Sequence, residues 1–126
     1  AYLGFEAMQR NVSAVTGACL MTKRSIYEEV DFMEEKLAVA FNDVDFCLKL
    51  REKGYLNIFT PYSELYHYES ISRGSDLEGA NLARLDKEAE DFKQKWKEVL
   101  DKGDPYYNPN FSLDNNDYSL KMSYND

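Results

Sequence analysis

A single helix with a clear start and a clear end does most to restrict the fold of this chain. Asn42 is able to cap it, and Asp43 and Asp45 fall in its first turn, where the helix dipole favours anions. Gly54 follows a group of basic residues at the other end, namely Lys49, Arg51 and Lys53. Apolar residues between these ends are expected to face a core: Val44, Cys47, Leu48 and Leu50. The pattern predicts a helix that begins at Asn42 and ends before Gly54.

Strand-like segments lie on both sides of this helix. Residues 12–22 are mostly small or β-branched, which predicts a buried strand interrupted at Gly17, where a backbone or a ligand can come close. Residues 55–60 predict a second strand, which Pro61 ends because proline has no N–H for a sheet. Between them we expect a short amphipathic helix at 25–30 and a loop at 31–41 with at most a turn or two of helix. The strand–helix–strand order predicts an α/β fold.

The C-terminal half begins with the longest predicted element, one helix from residue 75 or 76 to Gly103. Its apolar residues recur at steps of three and four: Leu82, Leu85, Ala89, Phe92, Trp96 and Val99. This spacing also suits a short coiled coil, but a helix lying across a sheet is favoured. The tail from Asp104 onward is rich in Asn and Tyr and is expected to wrap over the domain. The predicted divisions are 1–74, 75–103 and 104–126.

Length, charge and cysteine content limit the function classes. The 126 residues suit one domain, and the net charge of −8 repels polyphosphate, which argues against a nucleic-acid partner. No apolar run approaches the roughly 18–20 residues that a membrane span needs. Cys19 and Cys47 lie in apolar surroundings and are expected to be buried thiols in a reducing compartment. Because Ala1 stands inside what reads as a continuing sequence, we expect a fragment.

The one histidine, His67, follows the second predicted strand at a short distance. A lone histidine is more often a packed or surface residue than a metal ligand, but the residues around His67 strengthen the case for a metal role. Residues 69–74 form a polar, flexible stretch in which Arg73 offers a planar donor for a phosphate. The alternative is a surface loop that leads into the long helix.

Asp43 has two interpretations. As part of a helix cap it contributes a favourable dipole charge worth roughly 0.3–1 kcal/mol. As a functional group it stays ionised at the helix N-terminus and accepts a proton from a hydroxyl nucleophile. Asp45 points in a different direction and is expected to fix the loop. The segment Thr16-Gly17-Ala18 is either a place where a sugar ring passes the backbone or a tight position in a sheet.

An ordered set of motifs extends over nearly the whole chain: VTGACLM at 15–21, NDVDFCLKLR at 42–51, GY at 54–55, TP at 60–61, LYH at 65–67, ESISRG at 69–74 and GDPYYNPNFSL at 103–113. Together they resemble the second half of a family 2 glycosyltransferase with the GT-A fold, in the bacterial rhamnosyltransferase-like branch. The resemblance implies the C-terminal, acceptor-side half of a GT-A (Rossmann-like) α/β domain. Such a half has a short mixed sheet, flanking helices and one long C-terminal helix.

The resemblance also implies roles for individual residues. Asp43 matches the general base, and His67 matches a ligand of a divalent metal, Mn or Mg, beside the sugar nucleotide. Arg73 lies in a loop that covers the diphosphate. The acceptor and sugar cleft would be lined by Thr16, Gly17, Ala18 and Asp45. The implied reaction moves a sugar from a nucleotide-diphosphate sugar to a hydroxyl acceptor in polysaccharide or glycoconjugate synthesis, with inversion.

The chain departs from the pattern at three points. Asn42 stands where many relatives have Glu, and Asp31 stands where relatives commonly have Gly. The 126 residues do not include the nucleotide-binding half with an Asp-X-Asp metal motif that the resemblance implies, and residues 43–45 come too late to supply that motif. We therefore expect the fragment alone to be inactive and to self-associate through surface that the N-terminal half would cover. A cytoplasmic location is expected, with the inner face of the membrane as an option for the longer protein. The alternative function is a non-catalytic acidic protein-interaction module.

Overall fold

A computed structural model describes residues 4, 7–38, 40–68, 80–114 and 118–121. Its elements in chain order are β1 (Arg10–Val12), α1 (Arg24–Glu29), α2 (Asn42–Glu52), β2 (Asn57–Phe59), α3 (Ala80–Lys95) and α4 (Lys97–Asp101). Two 3₁₀ turns lie at Gly17–Cys19 and Glu35–Leu37. The mixed α/β class predicted from the sequence is confirmed, as are the short helix α1 and the single helical turn in the loop that follows it.

The sheet of the described residues consists of β1 and β2, paired antiparallel. Arg10 pairs with Phe59, and Val12 pairs with Asn57. The predicted strand at 55–60 is confirmed by β2, and it follows α2 as expected. The sheet itself differs from the expected mixed sheet, because the part of the chain that the structure describes contributes only this antiparallel pair.

The predicted strand over residues 12–22 is wrong for most of its length. Only its first residue, Val12, belongs to β1, and Gly17–Cys19 forms a 3₁₀ turn. The hydroxyl of Thr16 accepts a hydrogen bond from the N–H of Ala18 at 3.3 Å and so caps that turn. A threonine side chain that bonds to the backbone two residues later offers the chain an alternative to a strand.

Helix α2 is present where it was predicted, but Asn42 is not its cap. The cap position belongs to Phe41, which has a left-handed backbone (φ 63°) and makes no side-chain cap bond. The Phe41 ring stacks on Phe92 at a centroid distance of 5.2 Å. Packing of Phe41 therefore fixes the start of α2. At the other end Gly54 adopts φ 85°, as expected of a glycine that ends a helix.

The predicted single helix over 75–103 is two helices in the structure, α3 and α4, which are separated at Trp96. Trp96 departs from helical angles (φ −104°, ψ 16°), and its ring is buried. The predicted start at residue 75 or 76 lies outside the described residues. No helix in the described ranges has the length and apolar character to cross a membrane.

Helix α2 lies between two hydrophobic clusters and contributes to both. One cluster consists of Leu37, Leu48, Phe92 and Trp96, and the other consists of Val30, Phe46 and Leu50. The predicted core positions Cys47, Leu48 and Leu50 are buried, and Val44 packs against the first cluster. The prediction of a buried thiol is confirmed for Cys47 and is wrong for Cys19, which is exposed on the 3₁₀ turn.

Candidate functional site

The start of α2 and the turn at Thr16 to Ala18 meet at one hydrogen bond. The backbone N–H of Gly17 donates to Asp43 Oδ2 at 2.7 Å. A Cβ atom at position 17 would lie 3.3 Å from Asp43 Cβ, which is tighter than most such contacts, and 3.5 Å from Oδ2, which is an ordinary contact distance. The close approach predicted at Gly17 is thus made by a carboxylate of the same chain. The structure brings together four of the predicted site residues: Thr16, Gly17, Ala18 and Asp43.

The Asp43 carboxylate keeps capacity for a further hydrogen bond. Its other oxygen, Oδ1, accepts the N–H of Val44 at 2.8 Å. A carboxylate has about four acceptor positions, and these two N–H groups use two of them. Asp43 is half-buried, and Thr16, Gly17 and Ala18 beside it are exposed. A hydroxyl group that rests on this turn is therefore able to donate to Asp43.

Asp45 lies apart from this group, in the interior. Its side chain is fully buried, and Oδ1 accepts the indole N–H of Trp96 at 2.8 Å and the ammonium group of Lys95 at 2.6 Å. Lys49 Nζ is 3.9 Å from Oδ2. In this structure Asp45 does not line an open cleft beside Gly17. It ties α2 to the junction of α3 and α4, in keeping with the expected difference in direction between Asp45 and Asp43.

The turn after α1 contains two consecutive left-handed residues, Asp31 (φ 58°) and Phe32 (φ 57°). The ammonium group of Lys49 donates to both of their carbonyl oxygens, at 3.4 Å and 2.5 Å. A left-handed backbone is the conformation that glycine adopts without strain. The left-handed angle at Asp31 is compatible with the glycine that the resemblance implies at this position.

Cys47 lies one helical turn after Asp43 and faces the chain that leads to Gly17. The N–H of Val15 donates to Cys47 Sγ at 3.5 Å. Burial raises the pKa of the Cys47 thiol above its ordinary value, and the negative charge of Asp43 raises it further, while the backbone contact with Val15 lowers it. The balance favours a protonated thiol, so Cys47 is a packing and hydrogen-bonding group.

The remaining predicted residues lie elsewhere. His67 is exposed in the segment that follows β2, and Arg73 lies outside the described residues. Within the described ranges, no three His, Cys, Asp or Glu side chains come together in a way that would hold a metal ion. His67 is therefore not completed into a metal site by residues that the structure describes.

Two groups that the sequence did not single out hold this region together. Asn57 is buried on β2, and its amide donates to the carbonyl oxygens of Ser13 and Cys47. Ser13 in turn bonds through its hydroxyl to Arg51 and to Asp104. A polar residue inside the strand pattern YLNIFT is the one sequence signal that could have indicated Asn57.

A cavity of about 360 Å³ lies between the Glu35–Leu37 turn and α3. It is lined by Glu34, Lys36, Leu37, Asp91, Phe92, Gln94 and Lys95. None of the predicted site residues is among them.

Curated relatives give the candidate site its context. The chain is 47% identical to an uncharacterized protein of Sinorhizobium fredii over 114 residues. This match covers 90% of the chain and 12% of that protein. The chain is 32% identical over 118 residues to the O-antigen biosynthesis protein RfbC of Myxococcus xanthus, covering 94% of the chain and 9% of that protein. It is 31% identical over 71 residues to an N-acetylglucosaminyl-diphospho-decaprenol L-rhamnosyltransferase of Mycobacterium tuberculosis, covering 56% of the chain and 23% of that protein.

These similarities support a glycosyltransferase family. The chain spans between 9% and 23% of the length of these relatives. No family model matches the chain, and no solved structure matches it.

Proposed function

We propose that this chain is the acceptor-side part of a longer family 2 glycosyltransferase with the GT-A fold. That protein transfers a sugar from a nucleotide-diphosphate sugar to a hydroxyl acceptor in polysaccharide synthesis, with inversion. Asp43 is the general base that removes the proton of the acceptor hydroxyl. Thr16, Gly17 and Ala18 form the surface on which the acceptor and the transferred sugar rest.

The observation that carries this proposal is the contact between Asp43 and Gly17. A general base has to lie within hydrogen-bond distance of the proton it removes, so its position matters as much as its basicity. The N–H of Gly17, at 2.7 Å from Oδ2, holds the carboxylate beside an exposed turn. Attack of the acceptor oxygen on the anomeric carbon then breaks the bond to the diphosphate, and Asp43 receives the hydroxyl proton.

The similarity to named relatives supports the substrate class. A rhamnosyltransferase covers 56% of the chain at 31% identity, and an O-antigen biosynthesis protein covers 94% at 32%. Because the chain spans at most 23% of these relatives, we assign the nucleotide-binding half to another part of the longer protein. Arg73, outside the described residues, is proposed to contact the diphosphate through its guanidinium group.

A divalent metal remains part of the proposal only if residues beyond those described supply ligands in addition to His67. His67 would supply one imidazole ligand, and a bound Mn²⁺ or Mg²⁺ would neutralise charge on the leaving diphosphate. The described residues do not provide the remaining ligands. Proton removal by Asp43 is independent of the metal.

The test is a transfer assay on the longer protein that carries this chain. UDP-, dTDP- and GDP-sugars are supplied with polyprenyl-diphosphate-linked sugar acceptors, and release of nucleoside diphosphate is measured. Acceptor-dependent release with at least one donor supports the proposal. If no donor gives acceptor-dependent release from a folded protein, the chain is better explained as a non-catalytic acidic interaction module. The 126-residue chain alone is expected to give none and is the negative control.

A further inference from the structure

The chain between β1 and the 3₁₀ turn runs antiparallel along α2 in a regular register. Residues 13, 15 and 17 contact α2 in turn, while the α2 partners descend in steps of four. The three contacts are Arg51 Nη1 to the Ser13 hydroxyl at 3.0 Å, the Val15 N–H to Cys47 Sγ at 3.5 Å, and the Gly17 N–H to Asp43 Oδ2 at 2.7 Å. We call residues 13–17 the anchored segment.

The spacing of these contacts is close to what an extended chain beside a helix would give. Two residues of extended chain advance about 6.6 Å, and four residues of α-helix advance about 6.0 Å. Residues four apart also lie on one face of a helix. Alternate residues of the anchored segment therefore meet every fourth residue of α2. A shift of the segment by one residue would place other groups opposite Arg51, Cys47 and Asp43, so the three contacts would be lost together.

Asn57 is placed to fix this register. It is 6% exposed, and its Nδ2 group donates to the Ser13 carbonyl at 2.9 Å and to the Cys47 carbonyl at 3.0 Å. One side-chain amide thus joins the first residue of the anchored segment to the middle of α2. Val12, the sheet partner of Asn57, directly precedes that first residue.

A second group, Asp104, holds the same end of the segment from outside. Its Oδ1 accepts the Ser13 hydroxyl at 2.5 Å, but both partners lie on an exposed contact. An exposed hydrogen bond is readily replaced by water, whereas loss of a buried amide leaves carbonyl groups without donors. Asn57 therefore has the larger effect on the register.

We propose that Asn57 is a positioning residue for Asp43. It sets the register of the anchored segment on α2 and so determines where the Gly17 N–H and the Thr16–Ala18 surface lie relative to the carboxylate. The role in catalysis rests on the proposed function, but the register is a property of the chain alone and is tested without any activity.

The test uses the ¹⁵N-labelled 126-residue chain and two N–H resonances. The Gly17 amide reports on the contact with Asp43, measured as the change in its proton shift that Asp43→Asn causes. The indole N–H of Trp96, the one tryptophan, reports on the packing of α2 against α3. Asn57→Ala is compared with Asn11→Ala, which removes an amide from an exposed position on β1.

Asp43→Asn changes the amide proton shift of Gly17. In the Asn57→Ala background this change is expected to be at least about twofold smaller than in wild type, because the two positions are coupled. The Trp96 indole resonance is expected to stay in place, and Asn11→Ala is expected to change neither. An undiminished effect at Gly17 in folded Asn57→Ala would overturn the proposal. If Asn57→Ala changes the Gly17 and Trp96 resonances alike, the same measurement is made on Asn57→Ser, which keeps one hydrogen-bond donor. A selective change at Gly17 then supports the proposal, and an unselective change overturns it.

Activity of the longer protein separates this inference from the proposed function. Asn57→Ala is expected to lower kcat about tenfold or more, as misplacement of a catalytic group does, with little change in KM for the donor. Full activity in Asn57→Ala beside an inactive Asp43→Asn would overturn the positioning role alone. Full activity in Asp43→Asn would remove the base assignment and leave the register measurement unaffected.

Discussion

The N–H of Gly17 donates to the carboxylate of Asp43 at 2.7 Å, across 26 residues of sequence. This bond joins an exposed turn to the first turn of α2, and a Cβ at position 17 would crowd the Asp43 side chain at 3.3 Å. The sequence shows an acidic helix start and a glycine in an apolar segment as two separate signals. The bond shows that both belong to one site.

Substitution of Gly17 tests this close approach. In Gly17→Ala the added methyl group meets Asp43 Cβ at 3.3 Å and moves the carboxylate. Crowding costs stability, while the smaller entropy of the unfolded chain restores about 0.4–1 kcal/mol, so we expect a small net change in unfolding free energy. Turnover of the longer protein should fall about tenfold or more. Equal turnover in Gly17→Ala and wild type would show that the carboxylate does not need this position.

Gly54 provides the matched control. It has φ 85° and no atom within 4 Å of a built Cβ, so Gly54→Ala costs backbone strain without crowding Asp43. We expect a loss of about 1–2 kcal/mol in unfolding free energy and unchanged kcat. Urea denaturation and the transfer assay on both variants give the comparison.

Asp45 is expected to matter for stability. It is fully buried and accepts bonds from Trp96 and Lys95. Asp45→Ala leaves the indole N–H without its acceptor, and we expect a cost of about 2–4 kcal/mol, less than for a fully buried pair because Lys95 reaches water. Urea unfolding followed by Trp96 fluorescence measures it. Asp86→Ala, on the exposed face of α3, should change stability by less than about 0.5 kcal/mol. Similar costs at the two positions would contradict the importance of the Asp45 bonds.

The two thiols should differ in reactivity. Cys19 is exposed and Cys47 is buried, so iodoacetamide should modify Cys19 in the native chain and both thiols after denaturation. Mass spectrometry of the labelled peptides gives the result. Native labelling of Cys47 at a rate near that of Cys19 would contradict the packing of the anchored segment against α2.

The raised pKa of Cys47 predicts a dependence of stability on pH. Above its ordinary value of 9.0 the unfolded thiol releases its proton while the folded thiol retains it. The folded state then binds more protons, so unfolding free energy falls as pH rises past 9.0. Below that value the contribution is fully present. Cys47→Ser should remove this part of the pH dependence, and identical profiles for wild type and variant would contradict it.

Asp31 and Phe32 give a test of backbone strain. Asp31→Gly relieves a left-handed residue and should raise stability by up to about 1 kcal/mol. Phe32→Gly relieves a similar angle but removes a ring in edge contact with Tyr27 at 5.2 Å, so it should lower stability. Thermal unfolding of the two variants distinguishes them. Glycine also raises the entropy of the unfolded chain, which costs about 0.4–1 kcal/mol, so only a loss of stability beyond that amount would mean that the turn is not strained.

Elements with their own end signals were predictable from the sequence. Helix α2 has acidic residues at its start and Gly54 after its end, and β2 stands before Pro61, so local chemistry determines both. The break at Trp96 was not predictable in this way, because the apolar spacing continues through it. The indole bonds to Asp45, 51 residues earlier, and a contact at that separation leaves no local pattern.

The candidate site was predictable in its parts and not in its assembly. Asp43 and the Thr16 to Ala18 segment were both identified, yet the segment was assigned to a strand because its residues are small and β-branched. The Thr16 hydroxyl and the distant Asp43 carboxylate favour a turn there instead. Asn57 was missed because its two acceptors, Ser13 and Cys47, are backbone carbonyls, which any residue type supplies.

Turnover of Asp43→Asn in the longer protein tests the central claim most directly. Asparagine retains an oxygen for the Gly17 N–H but loses the charge and the second oxygen, which accepts the N–H of Val44, so the cost in unfolding free energy should be about 1–2 kcal/mol. Loss of a general base should lower kcat about a hundredfold or more, while Asp86→Asn serves as the exposed control. Near-normal turnover in a stably folded Asp43→Asn would contradict the assignment and leave Asp43 as a structural group at the start of α2.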